Sequence, residues 1–150
     1  MELTDIFTPD RIQFTDKALQ WRDAIRLALS PLVVDGSVTP AYVNAVIGKV
    51  EKVGPYIDLG SGVALPHARP EDGVKAMGMT FLRTSTPVNL LDDPDHAITV
   101  FISLAATDNN SHLEALAAVA QTLGNPEKLE RLKASSTDAE VREILAQSPC

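Results

Sequence analysis

The sequence predicts an α/β protein: a three-layer α/β/α sandwich in which helices cover both faces of a mixed β-sheet. Apolar residues recur at helical spacing in the first third of the chain, and residues 56–104 have the β-branched, apolar composition of strands. Helical spacing returns after residue 108. Helices before and after a block of strands are typical of this layered architecture.

The amino-terminal part predicts two short elements and a helix. We expect a short helix at residues 3–7 and an alternating strand at residues 12–14. The next helix is expected to be capped by Thr15 or Asp16, and Trp21 near its apolar face belongs either to the core or to a homodimer contact. The residues of that apolar face are Ala18, Ile25, Ala28, Leu29 and Leu32.

A second amphipathic helix is predicted to begin after Thr39, an N-cap residue followed by proline, and to end before Gly54. Its inward residues are expected to be Tyr42, Val43, Val46, Ile47 and Val50. Strands are then expected at residues 56–59, 63–65, 77–82 and 97–104. The last of these is almost wholly apolar, which favours a central strand covered on both faces.

The carboxyl-terminal third predicts three helices. The first follows a polar loop and ends at a Gly-Asn-Pro stop signal. Its inward residues are expected to be Leu113, Leu116, Ala117, Ala120 and Leu123. Two shorter helices follow at residues 127–134 and 138–146, and the second is expected to be capped by Thr137 or Ser136.

Composition and charge limit the classes of function. With 150 residues, 45% of them hydrophobic, the chain is long enough for one globular domain, residues 1–150. The formal net charge of −7 argues against nucleic acid and anionic membrane as partners. The sequence has no apolar run long enough to cross a bilayer and no basic leader, and its single cysteine, Cys150, fits an incidental thiol in a reducing compartment. We therefore expect a cytoplasmic protein without a metal or cofactor.

His67 is the first candidate for chemistry because of where the chain places it. It follows the apolar segment 63–65, which is predicted to end a buried strand, and Pro66 and Pro70 prevent helix formation around it. A fixed, unprotonated imidazole at the rim of a sheet can serve as a nucleophile at neutral pH. The apolar residues expected to offer a partner a docking surface are Val63, Leu65 and Ala68.

His112 is the second candidate. Ser111 and Glu114 have the spacing of a capping box, which places His112 in the first turn of a helix. The free N–H groups and the positive dipole end there favour an anion and a neutral imidazole. Because ligands gather at the carboxyl ends of strands in α/β sheets, we expect His67 and His112 to share one cleft. His96 follows an acidic turn and is expected to be a surface residue.

The segment Ala64-Leu65-Pro66-His67-Ala68-Arg69-Pro70-Glu71 resembles the phosphohistidine motif of mannitol/fructose-type (type 2) enzyme IIA domains of the bacterial phosphoenolpyruvate:sugar phosphotransferase system. With Gly54-Pro55-Tyr56 before it and Asp108 and His112 after it, the chain is most similar to the ascorbate-specific branch. The resemblance covers essentially the whole chain and implies the type 2 enzyme IIA fold. It also implies phosphotransferase activity, in which phosphate passes from HPr to His67 and then to a cysteine of enzyme IIB, before the sugar is phosphorylated during transport through enzyme IIC.

The resemblance implies roles for particular residues. His67 would accept the phosphoryl group, and His112 would stabilise the phosphoryl oxygens in the transition state. Arg69 and Ser111 are candidate supporting residues, and Arg69 would act either in the cleft or on a partner. Mannitol-type members carry an arginine on the helix before the motif, where this sequence has Lys-Val-Glu-Lys at residues 49–52. Cationic help is therefore expected from Arg69 or from a partner.

Two other functions remain open on the sequence. A nitrogen-type or other regulatory enzyme IIA would signal through the same phosphohistidine by protein contacts. A binding module without catalysis would be favoured by the loss of either histidine, and both His67 and His112 are present.

Overall fold

The computed structural model describes residues 3–146, which contain one five-stranded sheet. Its strands are β1 (Ile12–Thr15), β2 (Asp58–Gly60), β3 (Val63–Ala64), β4 (Gly78–Asn89) and β5 (Ala97–Ala105). Their order across the sheet is β1-β4-β5-β3-β2. β1 is parallel to β4 and β3 to β5, whereas the β4–β5 and β2–β3 pairs are antiparallel. The predicted mixed sheet, with its most apolar strand at the centre, is confirmed.

Six α-helices surround the sheet within residues 3–146. They are α1 (Leu3–Ile6), α2 (Trp21–Val34), α3 (Pro40–Val53), α4 (Asn109–Leu123), α5 (Pro126–Ala134) and α6 (Asp138–Ala146). Helices α2 and α3 share one buried core with residues of the sheet such as Phe101, and the remaining helices share a second core with residues such as Val100. Since neighbouring residues of β5 point into opposite cores, the sheet is covered on both faces. The predicted α/β/α sandwich is confirmed.

Helix α3 agrees with the prediction at both ends and along its buried face. It begins at Pro40 after Thr39 and ends before Gly54, whose φ of 108° lies in the left-handed region that favours glycine. All five residues predicted to face inward are buried: Tyr42, Val43, Val46, Ile47 and Val50. Trp21, at the start of α2, is 2% exposed and belongs to the core.

The start of α2 differs from the prediction. The helix begins at Trp21, so neither Thr15 nor Asp16 caps it, and Ala18 precedes it. The Thr15 hydroxyl accepts a hydrogen bond from the backbone N–H of Lys17 at 3.2 Å. The Asp16 carboxylate accepts one from the Ser85 hydroxyl at 2.6 Å. These two side chains therefore stabilise the turn that follows β1 instead.

The buried face of α4 was also predicted wrongly in part. The residues buried against the sheet are Ala115, Val119 and Thr122. Of the residues predicted to face inward, those that are exposed are Leu113, Ala117 and Ala120. Alanine and leucine occur on most sides of this helix, so their spacing does not define a single apolar face.

The last two helices begin as expected. The Asn125 side chain accepts hydrogen bonds from two backbone N–H groups at the start of α5. The Thr137 hydroxyl accepts one from the Glu140 N–H at 3.2 Å, so Thr137 caps α6. Among residues 3–146, no helix has the length and apolar character needed to cross a membrane. Cys150 lies outside the described residues.

Candidate active site

The loop after β3 carries His67 past the end of the strand and remains hydrogen-bonded to the sheet. Leu65 donates its backbone N–H to the carbonyl oxygen of Ile57 at 2.7 Å. Leu104, on the central strand, donates its N–H to the carbonyl oxygen of Pro66 at 3.0 Å. The sheet therefore fixes the two residues before His67, as the two prolines of the motif led us to expect.

The chain's two tyrosines hold the next two residues of the loop. Tyr56 donates its hydroxyl to the carbonyl oxygen of His67. Tyr42, fully buried on α3, accepts a hydrogen bond from the Ala68 N–H at 2.9 Å and donates one to the carbonyl oxygen of Leu104 at 2.8 Å. Burial raises the pKa of Tyr42 to about 12, so the hydroxyl keeps the proton that it donates.

The ring of His67 makes a hydrogen bond that distinguishes its two nitrogens. Nδ1 lies 2.7 Å from the carbonyl oxygen of Leu65. A carbonyl oxygen can only accept, so Nδ1 carries the proton in the neutral ring and Nε2 keeps the lone pair. Nε2 is therefore the nitrogen that could act as a nucleophile.

The surroundings of His67 keep its ring unprotonated. Burial lowers the pKa of the imidazole, although the hydrogen bond to Leu65 opposes this shift. The neighbouring His112 and Lys49 side chains lower the pKa further, because a second positive charge beside them is unfavourable. The lone pair on Nε2 is thus available at neutral pH.

His112 lies in the first turn of α4, as predicted, but the residue that caps this helix is Asp108. Its carboxylate accepts a hydrogen bond from the Ser111 backbone N–H at 2.8 Å and another from the Ser111 hydroxyl at 3.3 Å. Glu114, the predicted second member of a capping box, is exposed. The rings of His67 and His112 lie with their centroids 5.5 Å apart, so the two histidines do share one cleft.

Lys49 is the site residue that the sequence analysis missed. It lies on α3 and lines the cleft with His67, and its Nζ is 4.7 Å from the centre of the Tyr56 ring. Lys49 is therefore a further candidate for the cationic help that was expected from Arg69 or a partner. A signal was available, because Lys49 follows the buried Tyr42 by two helical turns and so lies on the same side of α3.

Arg69 and Ser111, the two predicted supporting residues, take different positions. Arg69 is exposed and lines the cleft, while its backbone N–H donates to the Asp72 carboxylate at 3.0 Å. Ser111 is not among the described residues that line the cleft, and its contact with Asp108 places it in the cap of α4. Arg69 can reach an anion bound in the cleft or at its rim, and Ser111 can act only through the helix start.

The cleft itself has a volume of about 180 Å³. Its lining residues are Lys49, His67, Ala68, Arg69, Pro70, Asn109 and His112. Asn109 is the first residue of α4, where backbone N–H groups point out of the helix and favour an anion. A larger, mostly apolar cleft of about 310 Å³ lies between α2 and α3, but it contains no histidine. The smaller cleft combines the free lone pair of His67 with the positive groups of Lys49 and Arg69, a combination that could bind a phosphoryl group.

One further expectation about the surface needs correction. Val63, Leu65 and Ala68 are buried and cannot dock a partner. Leu113, the residue after His112 on α4, is apolar and 64% exposed. His96 is partly exposed, as expected of a surface residue, but its Nδ1 lies 2.7 Å from the carboxylate of Asp58.

Comparisons with known proteins identify the family of the chain. The family model described as "Phosphoenolpyruvate-dependent sugar phosphotransferase system, EIIA 2" matches residues 5–148. The ascorbate-specific PTS system EIIA component of Escherichia coli K12 is 31% identical over 147 residues, which cover 97% of this chain and 96% of that protein.

Solved structures show the same fold. The mannitol-specific cryptic phosphotransferase enzyme IIA CmtB from Escherichia coli matches with a TM-score of 0.91 and 31% identity, covering 99% of this chain and 100% of that one. Enzyme IIA of the mannitol system, in complex with phosphorylated enzyme IIB from Escherichia coli, matches with a TM-score of 0.78 and 30% identity over 93% of this chain and 98% of that one. Nitrogen regulatory protein IIA-Ntr from Neisseria meningitidis has a TM-score of 0.78 and 29% identity over 95% and 98%.

The family model matches nearly the whole chain, and the ascorbate-specific relative is 31% identical over 97% of it. The chain belongs to the type 2 EIIA family of the phosphoenolpyruvate-dependent sugar phosphotransferase system, whose members are phosphotransferase components.

Proposed function

We propose that this protein accepts a phosphoryl group from the phosphohistidine of HPr on Nε2 of His67 and passes it to a cysteine of enzyme IIB. The observation that carries the proposal is the hydrogen bond between Nδ1 of His67 and Leu65, which leaves Nε2 with a free lone pair in a cleft of suitable size. The lowered pKa of His67 supports the same role, because only the unprotonated ring can attack phosphorus.

The first transfer forms a bond from Nε2 of His67 to phosphorus while the phosphorus–nitrogen bond of the donor histidine breaks. The electron pair of the broken bond remains on the donor imidazole. The His67 ring becomes more positive as the new bond forms, and the Nδ1 proton shared with the Leu65 carbonyl stabilises that charge. In the second transfer a cysteine thiolate attacks phosphorus, and the pair of electrons returns to Nε2.

Charge on the phosphoryl oxygens would be stabilised by groups already in place around the cleft. Lys49 supplies a full positive charge from α3, and His112 supplies a ring N–H from α4. The first backbone N–H of α4, at Asn109, adds the positive end of a helix dipole. Such preorganised groups lower the barrier of phosphoryl transfer because this reaction depends mainly on positioning and charge. Arg69 is suited to bridge the cleft and an approaching partner.

The partner surface would centre on Leu113, which follows His112 and is 64% exposed. An apolar contact surrounded by charged residues is the usual arrangement of a transient protein interface. With a net charge of −7, this protein favours partners that carry basic residues at the rim. The mannitol enzyme IIA structure with phosphorylated enzyme IIB supports enzyme IIB as one such partner.

We further propose that the transported sugar is ascorbate or a related compound, because the curated relative at 31% identity is ascorbate-specific. Enzyme IIC would then take part only indirectly, by receiving the phosphate from enzyme IIB at the membrane. The cytoplasm is the compartment where HPr and enzyme IIB would meet this protein. The proposal thus favours transport over regulation.

The test is reconstitution with phosphoenolpyruvate, enzyme I and HPr, followed by mass spectrometry of the intact protein and its peptides. We expect one acid-labile phosphate per chain, on His67. Chasing the phosphoprotein with the enzyme IIB of an ascorbate system should return it to the unphosphorylated form. If phosphate is accepted but no enzyme IIB of a sugar system removes it, a regulatory function replaces the transport function.

A further inference from the structure

Tyr56 contacts both the nucleophile and the cation of the cleft. Its ring and the His67 ring form a T-shaped contact, with centroids 5.2 Å apart and planes at 71°. The Nζ atom of Lys49 lies over the face of the same ring, 4.7 Å from its centre. The Tyr56 hydroxyl also donates a hydrogen bond to the carbonyl oxygen of His67. One side chain therefore connects two groups from different elements of the fold.

The geometry of the two ring contacts follows the charge distribution of an aromatic ring. Its face is negative and attracts an ammonium group, whereas its edge is positive and packs well against the face of another ring. Tyr56 can therefore hold Lys49 and His67 at the same time without competition between them. It occurs just after Gly54 and Pro55, which end α3, so its ring reaches back to the helix that carries Lys49.

Lys49 needs such a partner because its long side chain is flexible. Among the described residues no carboxylate forms an ion pair with it, and the nearby Glu51 pairs with Arg22 at 3.1 Å instead. A carboxylate beside Lys49 would cancel the positive charge of the cleft and compete with the phosphoryl group. An aromatic face orients the ammonium group without cancelling its charge.

We propose that Tyr56 is a positioning residue, whose hydroxyl fixes the backbone of His67 and whose ring holds the Lys49 ammonium group beside the imidazole, ready for the phosphoryl oxygens. The inference deepens the proposed function and rests on it for the role of the phosphoryl group. The arrangement of the three side chains, however, belongs to the unphosphorylated protein and can be measured there.

The test is an NMR titration of the His67 ring nitrogens in the unphosphorylated protein. The charged or titratable groups that face this ring are Lys49 on α3, His112 on α4 and Arg69 in the loop. Because several groups act on the pKa of His67, the contribution that passes from Tyr56 through Lys49 is isolated by a double-mutant cycle. The variants are Tyr56→Phe, Tyr56→Leu, Lys49→Met and the Tyr56→Leu/Lys49→Met double variant. Circular dichroism shows which of them are folded.

The ring contact predicts coupling within the cycle. Lys49→Met should raise the pKa of His67, because it removes a neighbouring positive charge. Tyr56→Leu should raise this pKa less in the Lys49→Met background than in the wild type, because part of its effect passes through Lys49. Equal shifts in the two backgrounds would mean that Tyr56 acts on His67 by burial alone, and the ring part of the proposal would be overturned.

The hydroxyl contact has its own test in Tyr56→Phe, which keeps the aromatic ring and removes only the hydroxyl. Nitrogen chemical shifts should show that the ring of His67 no longer holds its proton mainly on Nδ1. An unchanged tautomer would overturn the hydroxyl part of the proposal. No phosphoryl donor is needed for either measurement, so a failure of HPr to phosphorylate the wild type refutes the proposed function and leaves these results valid.

Discussion

The carbonyl oxygen of Leu65 accepts a hydrogen bond from Nδ1 of His67, 2.7 Å away and only two residues later in the chain. The contact is local, yet it depends on the fold, because Leu65 is itself hydrogen-bonded to Ile57 and the His67 carbonyl to Tyr56. Under the proposed function His67 would alternate between free and phosphorylated forms, and this hydrogen bond would keep the lone pair on Nε2 between transfers.

Replacement of the nucleophile should abolish phosphorylation. We expect His67→Gln to take up no phosphate from phosphoenolpyruvate, enzyme I and HPr, since no other side chain in the cleft offers a comparable unprotonated nitrogen on the fixed loop. Intact-mass spectrometry after a timed incubation measures this directly. The matched control is His96→Gln, which removes a histidine paired with Asp58 outside the cleft and should leave labelling complete. Full labelling of His67→Gln would refute the assignment of the acceptor.

His112→Ala should slow phosphoryl transfer without unfolding the protein. The side chain is only partly buried, so its loss leaves no large cavity, whereas a donor beside the phosphoryl oxygens disappears. The loss of one such group typically costs about 10²–10³ in rate. Rapid-quench measurements in both directions, with HPr and with enzyme IIB, test the expectation. Wild-type rates in this variant would show that His112 only begins a helix.

Lys49→Met should reduce the transfer rate by an amount of the same order, about 10²-fold, because a full positive charge is lost from the cleft. Lys52→Met is the matched control, since Lys52 lies on the same helix and is exposed. Single-turnover transfer from phospho-HPr at saturating donor separates an effect on the chemical step from one on docking. If the two variants slow transfer equally, the effect reflects overall charge and not the position of Lys49.

Much of this site could be predicted from sequence where the local signals had no competitors. His67 lies between two prolines after a buried strand, and β5 is apolar along nearly its full length, so both were placed correctly. The start of α4 was harder. Asp108 and Ser111 are both strong capping residues three positions apart, and only the geometry shows that the Asp108 carboxylate caps the helix.

The sequence did not predict that Lys49 lines the cleft or that Leu113 is exposed, and the reasons differ. Lys49 lies beside the inward face of α3, where a long side chain can reach either solvent or a neighbouring loop, and the loop that it reaches is distant in sequence. Leu113 was expected to face inward because it has helical spacing with Leu116, Ala117, Ala120 and Leu123. The rotation of α4 depends on which of its many small residues pack on the sheet, and this is decided by tertiary packing.

The pair formed by His96 and Asp58 should make stability depend on pH. The hydrogen bond to Asp58 raises the pKa of His96, so folding favours the protonated ring. The stabilisation is complete below the ordinary pKa of histidine, about 6.5, and is lost as the pH rises through the higher pKa of the folded state. His96→Gln should therefore lower the free energy of unfolding more at pH 6 than at pH 9.

Urea unfolding of the wild type and His96→Gln at the two pH values provides the measurement. The wild type and the variant must be compared at each pH. The lowered pKa of His67 makes the stability of both proteins depend on pH in the opposite direction, and this effect cancels in the difference between them. Asp58→Asn should lower the free energy of unfolding with the same pH dependence, because it removes the carboxylate that binds His96. A pH-independent difference between the proteins would show that the contact contributes no charge-dependent stability.

Leu113→Ser should weaken docking and leave the chemistry intact. Leu113 is 64% exposed next to His112, so its replacement removes apolar contact area from a partner without disturbing the core. At low donor concentration we expect the second-order rate of transfer from HPr to fall by about tenfold, the effect of a moderate interface residue. At saturating donor the rate should equal that of the wild type. The matched control is Leu91→Ser, since Leu91 is 37% exposed in the β4–β5 connection at the opposite end of the sheet. A Leu113→Ser protein as fast as Leu91→Ser at low donor concentration would place the HPr docking surface elsewhere.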